Sequence, residues 1–525
     1  MAKVKINDTE IEVPNGINMI EAARLAGEEI PHYCYHPHLS IAGNCRMCLV
    51  ESIGPRGAVL EIACNMQARD GVAIRTDSAQ VKKMRTAVME FLLVNHPLDC
   101  PICDQSGECR LQDYYMDHGQ HDSRGLDPKV SKHKRQDIGD LIVLDAERCV
   151  QCSRCVRFGD EVTGTGELRL MNRGDHTEIG MFPGDRLSHN YQGNLADICP
   201  VGALTNKDFR FQRRVWYLRE TDSVCTGCAT GCNTHVCHQE GEVFRYLPRR
   251  NDEVNRSWMC DTGRMSYTEI AGMSRLLTAS VAGKTVEPEA ATDELAKRIR
   301  AAGGNVAFVL GTRATNEANW ALLQTVRSNV PNAQVYWVDG NDGGPAAGDK
   351  LLLSADRNPN TAGVRLLAAH DGKVGDRDAL VAALDSLSLV VVLEDDLVAR
   401  LGAAPKAAIA YFGTTRNTTA KAASIVIPVA HAVEMDGSYV NRQDRVQRIR
   451  RAVNPAGESA PAYVAVDRLG ARLGKAPGTQ MVAATFNGMA RTVTRMKGLD
   501  FKGLGKGGRL LVPEPKPATG AEAST

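Results

Sequence analysis

Hydrophobic and polar residues alternate from the first residues of the chain. Val4 and Ile6 alternate with lysines, Asn7-Asp8-Thr9 has turn chemistry, and Ile11 and Val13 resume the alternation, which predicts a β-hairpin. Pro14-Asn15-Gly16 breaks the pattern. Asn18 then caps a short predicted helix carrying Ile20, Ala23 and Leu25 and ending at Gly27. Two strands and a packed helix are the start of a small β-grasp unit. The period changes after Asp77 and Ser78, either of which can cap a helix. Val81, Met84, Val88, Phe91 and Leu92 recur at helical spacing, so that stripe is expected to pack into a core, and Pro97 ends the helix just past His96. Residues 111–140 read as an irregular connector whose Lys132-His133-Lys134-Arg135 run is solvated surface. Leu141-Ile142-Val143-Leu144 reads as a strand. Farther on, the apolar runs 306–310, 335–338, 389–393 and 408–412 are spaced by helical stretches, one of them through Trp320, which predicts an α/β domain with a largely parallel sheet. Loops such as Gly311-Thr312-Arg313 can cradle a phosphate, but ordinary strand–helix turns explain them as well. From about residue 502 the chain is rich in Gly, Pro, Ala and Lys and reads as a flexible tail.

Composition narrows the class. The 525 residues suit roughly three domains. A net charge of +1 argues against a dedicated nucleic-acid binder. No apolar run is long enough to span a bilayer, and Met1-Ala2-Lys3-Val4-Lys5 leads into the alternating pattern without a signal-peptide apolar region. A reducing cytoplasmic setting follows as the expectation, and there grouped cysteines read as metal ligands or redox centres rather than disulfides. All 16 cysteines precede residue 261, which separates a metal-rich half from a metal-poor one.

The cysteines fall into four groups. Cys34, Cys45, Cys48 and Cys64 supply four thiolates on loops, as a [2Fe–2S] cluster needs, with Gly43 letting the backbone fold closely around them; zinc is the alternative. His96, Cys100, Cys103 and Cys109 form an H-x3-C-x2-C-x5-C set that suits zinc or an iron–sulfur cluster. One neutral imidazole in place of a thiolate would make such a cluster less negative and raise its potential. Cys149, Cys152, Cys155 and the remote Cys199-Pro200 repeat the bacterial-ferredoxin spacing for a [4Fe–4S] cluster. Cys225, Cys228, Cys232 and Cys260 suit a further [4Fe–4S] cluster or a structural zinc. Cys237 is left over as a plain thiol, so the other cysteines and His96 make four complete sets. His32, His36 and His38 read as loop surface rather than ligands.

These stretches resemble the large iron–sulfur subunits of NADH-quinone oxidoreductase, respiratory complex I. The resemblance is carried by Pro31-His32-Tyr33-Cys34-Tyr35-His36, by 43–51 around Cys45 and Cys48, by 95–103 around His96, by 148–157 around Cys149, and by Cys199-Pro200-Val201-Gly202-Ala203-Leu204-Thr205. It is continuous over 1–265. It implies one [2Fe–2S] cluster on the Cys34 set and [4Fe–4S] clusters on the His96 and Cys149 sets. The Cys225 cluster occurs in only some bacterial members, so two to three [4Fe–4S] clusters are implied. Ile425-Val426-Ile427-Pro428, Gly437-Ser438-Tyr439-Val440-Asn441 and Arg445-Val446-Gln447 look like a molybdopterin oxidoreductase domain in degenerate form, without a cysteine to ligate molybdenum.

The fold expected is therefore an α+β iron–sulfur region followed by an α/β degenerate molybdopterin-oxidoreductase-like domain. Its parts are a ferredoxin-like [2Fe–2S] domain at 1–75, a [4Fe–4S] domain with one histidine and three cysteine ligands at 76–140, a ferredoxin-like [4Fe–4S] domain at 141–215 and a four-cysteine [4Fe–4S] domain at 216–270. The α/β domain follows at 271–501 and the tail at 502–525. The resemblance implies electron transfer from a flavin-containing NADH-oxidising partner towards quinone, entering at the Cys34 set, passing the Cys149 set and then the His96 set, and leaving to other peripheral-arm iron–sulfur subunits. It places the chain on the cytoplasmic face of a bacterial inner membrane, attached only through the complex. No G-x-G-x-x-G unit opens a helix after a strand, so NADH is not expected to bind here, and no catalytic residue is assigned. An iron-only hydrogenase would need cysteines beyond Cys260, and a formate dehydrogenase a molybdenum ligand; neither is present. A zinc-stapled scaffold is the rival of another class, and it explains the cysteine pairs but not the long resemblance.

Overall fold

The structure is a computed structural model that describes residues 1–55 and 57–513. The chain divides into two compact units, Met1–Leu218 and a second beginning at Arg219.

In the first unit the predicted hairpin forms from Ala2–Ile6 and Thr9–Val13, with Val4 opposite Ile11. It is one side of a five-stranded sheet in which Ala2–Ile6 also runs parallel to Ala73–Arg75, followed by Leu49–Gly54 and Gly57–Ile62. Alternation buries Ala2, Val4 and Ile6 on one face. The helix Met19–Leu25 covers that face with Met19, Ile20, Ala22 and Ala23, and the Asn18 side chain accepts from the Ile20 N–H at 2.9 Å.

The second helix, Ala79–Val94, starts where expected, with the Ser78 hydroxyl accepting from the Val81 N–H at 3.2 Å. Its apolar stripe is only partly core. Val81 and Met89 are buried and Val88 and Leu92 half-buried, but Met84 is 37% and Phe91 79% exposed. Those two lie about a quarter-turn from the Val81–Val88–Leu92 line. Arg85 occupies the inner face instead, because its guanidinium donates to the Leu49 carbonyl at 3.0 Å. Farther along, Ile142–Leu144 is the middle strand between Leu204–Asn206 and Gln136–Asp137. The basic run is largely exposed, yet Lys134 reaches Glu147 at 2.6 Å and Lys132 the Thr177 carbonyl at 2.6 Å.

In the second unit, the strands Arg219–Val224, Asn233–Gln239 and Glu242–Pro248 form an antiparallel sheet. An eight-stranded sheet lies beyond it in the chain. At its centre Val306–Leu310 pairs in parallel with Gln334–Trp337 on one side and Leu389–Leu393 on the other. Ala408–Gly413 and Ile425–Pro428 continue in parallel beyond Leu389–Leu393. The runs 306–310 and 389–393 are buried throughout, as strands covered on both faces must be. The order reverses between these two strands, where a doubly wound sheet leaves a crevice for a ligand. Here the chain's own side chains fill it. Arg400 donates to Asp395 at 3.0 Å and to the Val338 carbonyl at 2.7 Å, and Thr312 bonds Asp395 through both its N–H and its hydroxyl.

The expected tail is ordered where it is described. Arg509–Leu510 pairs with Arg445–Ile449, and Leu504 and Leu511 are buried, so apolar side chains and a strand partner outweigh the Gly-Lys composition; the rest of that segment, 514–525, lies outside the described residues. Among the described residues, no helix is long and apolar enough to cross a membrane.

Candidate metal centres

Each ligand set is built from short-range turns that aim sulfur inward. In the first, Cys34, Cys45 and Cys48 lie on the loop before Leu49–Gly54, and Cys64 lies in the turn Ala63–Asn65. Gly43 (φ +62°) and Arg46 (φ +58°) adopt the left-handed conformation on either side of Cys45. The Cys34 N–H donates to the Cys45 sulfur at 3.5 Å. Hydrogen bonds from the Cys45 and Cys64 thiols hold Cys34 low, and one from Cys64 holds Cys48 low. The Cys45 and Cys64 thiols are pushed up in turn by bonding to Cys34.

The second set follows the helix Ala79–Val94. Leu98 takes φ +54°, Cys100 opens a tight turn, and Cys109 precedes the helix Arg110–His118. His96, Cys100, Cys103 and Cys109 line one cavity of about 710 Å³. Burial pushes His96 down to about 4, which keeps the imidazole neutral, as a metal ligand must be. Burial pushes the Cys109 thiol up to about 11. Two glycines admit close neighbours. A Cβ on Gly202 would lie 2.3 Å from the Cys103 sulfur, and one on Gly107 2.7 Å from the Trp216 ring. Arg214 donates to the Cys103 and Pro101 carbonyls, each at 2.6 Å.

The third set winds tightly, with Gln151 (φ +52°) and Ser153 (φ +58°) left-handed between its cysteines and the Gln151 N–H donating to the Cys149 sulfur at 3.3 Å. Cys199 follows the helix Gly193–Ile198 and is brought back by the pairing of Leu204–Asn206 with Ile142–Leu144. Cys149, Cys152, Cys155 and Cys199 line a small cavity together. Burial pushes the Cys149 and Cys199 thiols up to about 12.

The fourth set lies in the second unit. Cys225 directly follows one strand, Cys232 directly precedes the next, and the Cys225 N–H donates to the Cys232 carbonyl at 2.8 Å. The Cys260 sulfur caps the helix Asp261–Met265, accepting from the Gly263 N–H at 3.3 Å. A Cβ on Gly263 would lie 2.9 Å from the Cys225 sulfur and 3.3 Å from that of Cys260, so these sulfurs meet over a bare backbone. Cys228, between them in sequence, is buried with the set. The loop is fastened to the α/β fold: Arg442 N–H to the Ala229 carbonyl (2.7 Å), Asn441 to the Thr230 carbonyl (3.1 Å) and Gln447 to the Gly231 carbonyl (2.9 Å). Residues 219–270 thus fold as one unit with the α/β domain. Cys237 is buried in its strand and belongs to no set.

Among the described residues, no three His, Cys, Asp or Glu side chains converge as a site for one metal ion would. The donors fit iron–sulfur clusters in chemistry: buried thiols, backbone N–H groups aimed at sulfur, and glycines where a side chain would fill the space.

Arginines between the sets went unread in the sequence. Arg157 donates to the Cys34 carbonyl (2.5 Å) and the Cys152 carbonyl (3.2 Å), and Arg154 to the Tyr35 and Ile198 carbonyls. Asn44 donates to the Gln151 carbonyl at 3.1 Å. Arg148 pairs with Asp99, Nε to Oδ1 at 3.0 Å and Nη2 to Oδ2 at 2.5 Å. The available signal was adjacency, since Arg148, Arg154 and Arg157 all stand within two residues of a ligand cysteine. His32, His36 and His38 are half-buried in the Cys34 loop.

Comparison with known proteins gives five family matches. A 2Fe-2S iron-sulfur cluster binding domain matches residues 1–79, and the NADH-ubiquinone oxidoreductase-G iron-sulfur binding region matches 85–124. The ferredoxin-like domain of NADH-quinone oxidoreductase subunit 3 matches 139–205, and the NDSU1/NuoG-like 4Fe-4S domain matches 218–268. A molybdopterin oxidoreductase family matches 286–471. These domains fit one [2Fe–2S] cluster and two to three [4Fe–4S] clusters. The G subunit of NADH-quinone oxidoreductase from Rickettsia bellii is 46% identical over 267 residues, 51% of this chain and 39% of that protein. The G subunit from Streptomyces coelicolor is 40% identical over 334 residues, 62% of this chain and again 39% of that protein. The mitochondrial NADH dehydrogenase [ubiquinone] iron-sulfur protein 1 of Solanum tuberosum is 44% identical over 266 residues, 50% of this chain and 36% of that protein. The matched stretch thus spans about two fifths of the length of these relatives. A chain of a solved NAD+-reducing [NiFe]-hydrogenase in the H2-reduced state is 28% identical with a TM-score of 0.36, covering 41% of this chain and 91% of that one.

Proposed function

We propose that this chain is an iron–sulfur electron-transfer subunit of an NADH:quinone oxidoreductase. The observation that carries the reading is the joining of three ligand sets by one apolar cluster in the first unit. Cys34, Cys109 and Cys152 are buried in it together with Met47, Met89 and Val201, and Cys45, Cys149 and Cys199 pack against it. Bound to these sets, iron–sulfur clusters supply one-electron transfer, with electrons coming from a flavin-containing NADH-oxidising partner and leaving through other peripheral-arm subunits towards quinone. The residues assigned are Cys34, Cys45, Cys48 and Cys64 to [2Fe–2S], and His96, Cys100, Cys103 and Cys109, and Cys149, Cys152, Cys155 and Cys199, to [4Fe–4S]. Cys225, Cys228, Cys232 and Cys260 are assigned to a further [4Fe–4S] cluster.

The order Cys34 set, Cys149 set, His96 set is supported by the bridges between loops. The Cys149 loop is tied to the Cys34 loop through Arg157 and Asn44, and to the His96 loop through Arg148 and Asp99. Backbone N–H groups aimed at the Cys45 and Cys149 sulfurs hold two of these ligands in position. The α/β domain is structural on this reading, because Arg400, Asp395 and Thr312 fill its crevice. The chain works on the cytoplasmic face of a bacterial inner membrane, attached through its complex.

Iron and zinc analysis with low-temperature EPR after graded reduction tests the reading. About fourteen irons per chain, one [2Fe–2S] signal and several [4Fe–4S] signals are expected. About ten irons and one zinc would turn the Cys225 set into a staple. Zinc with almost no iron, metal exchange being excluded, would defeat the electron-transfer function.

A further inference from the structure

We infer that Arg148 is a positioning residue shared by two ligand sets: its guanidinium clamps the His96 loop to the Cys149 loop and raises the reduction potential of a cluster held by His96, Cys100, Cys103 and Cys109. The inference rests on the iron–sulfur reading above. Arg148 is joined covalently to Cys149, and its partner Asp99 is joined covalently to Cys100. The two-point ion pair between them therefore links the first cysteine of one set to that of the other. The Arg148 side chain is only 4% exposed, so water screens its charge little.

The guanidinium stem also runs beside a ligand. A Cβ on Gly202 would lie 2.3 Å from the Cys103 sulfur and 3.6 Å from Arg148 Cδ, so stem and sulfur flank one bare backbone position. Nη1 makes no hydrogen bond and lies 3.6 Å from Asp145. Other charges nearby are Lys134, 3.5 Å from Asp99, Glu147, paired with Lys134 at 2.6 Å, Arg214, which donates to the Cys103 carbonyl at 2.6 Å, Asp104, which accepts from the Phe211 N–H at 2.7 Å, and Lys129 and Arg210; all of these stay the same across the variants compared below. Reduction adds one negative charge to a cluster, and a fixed positive charge beside it favours that state. Removing the Arg148 charge lowers the potential and leaves Asp99 and Asp145 uncancelled, which pushes the same way. Removing the Asp99 charge does the opposite. A clamp that acted only by holding the loops would not give shifts of opposite sign.

The test is a redox titration followed by EPR on the full-length chain isolated anaerobically with its clusters, comparing wild type with Arg148→Met, Arg148→Lys and Asp99→Asn. In Arg148→Met the reduction equilibrium of the His96-set signal should move at least tenfold against reduction, which is about 59 mV for a one-electron couple. Arg148→Lys should keep most of the wild-type potential, and Asp99→Asn should raise it. An unmoved potential in Arg148→Met, or a shift of the same sign in Asp99→Asn, overturns the inference. If Arg148→Met fails to take up iron, Asp99→Asn decides alone: a rise supports the inference, and no rise overturns it. Absence of the His96-set signal from the wild type would overturn the iron–sulfur reading and this inference with it, whereas a signal with unmoved potentials overturns only the inference.

Discussion

His96 is the one nitrogen donor among sixteen assigned ligands, and its half-buried ring is held neutral by its surroundings. His96→Cys adds a thiolate, and with it one negative charge on the ligand set. The expected outcome is a cluster that still assembles and titrates at a lower potential; an unchanged or higher midpoint by EPR titration would reject the charge argument. Candidate ligands can be picked out residue by residue because their chemistry is confined to a few side-chain types and their spacing is local. The arginines that join the loops cannot. A guanidinium beside a cysteine in sequence reads the same whether it points at solvent or at a carbonyl over a hundred positions away, as Arg157 does at Cys34.

At the scale of elements, periodicity gave the hairpin, both early helices and the parallel strands, but it set the core face of Ala79–Val94 too wide on one side, taking in Met84 and Phe91 and leaving out Arg85. Hydrophobicity ranked Phe91 above Arg85, yet Arg85 is inside, where its Nη2 donates to the Leu49 carbonyl. The segment leading out of the Cys225 region shows a similar dependence. Arg275 reaches Glu434 at 2.5 Å with side-chain exposures of 3% and 2%, and also donates to the Thr414 carbonyl at 3.0 Å. Arg275→Met should destabilise the second unit by about 3–5 kcal/mol, because Glu434 would be left charged and buried without its partner. The double variant Arg275→Met/Glu434→Gln should recover part of that loss in denaturant unfolding. Equal stability of the wild type and the single variant would show that the pair contributes nothing.

For the whole molecule, the division after Leu218 separates three ligand sets from the fourth. Produced separately, residues 1–218 should bind about ten irons and residues 219–525 about four, measured by iron analysis with EPR on each. Failure of the second piece to fold with iron while the first succeeds would show that the Cys225 set needs more than its own unit. The sequence by itself determined the grouping of the cysteines from which the four donor sets are proposed, the order of elements and the α/β character of the second half, because cysteine spacing, turn chemistry and hydrophobic period are properties of neighbouring residues. The tertiary structure alone decided the rest. It built the Cys225 loop into the α/β fold through Asn441, Arg442 and Gln447, filled the sheet crevice with Arg400 bonded to Thr312 and to the Val338 carbonyl, and ordered the chain around Arg509–Leu510 against the strand Arg445–Ile449. Each of these is a contact between residues far apart in the chain, where a hydrogen-bond partner or a packed neighbour, and not local composition, fixes the lower free energy.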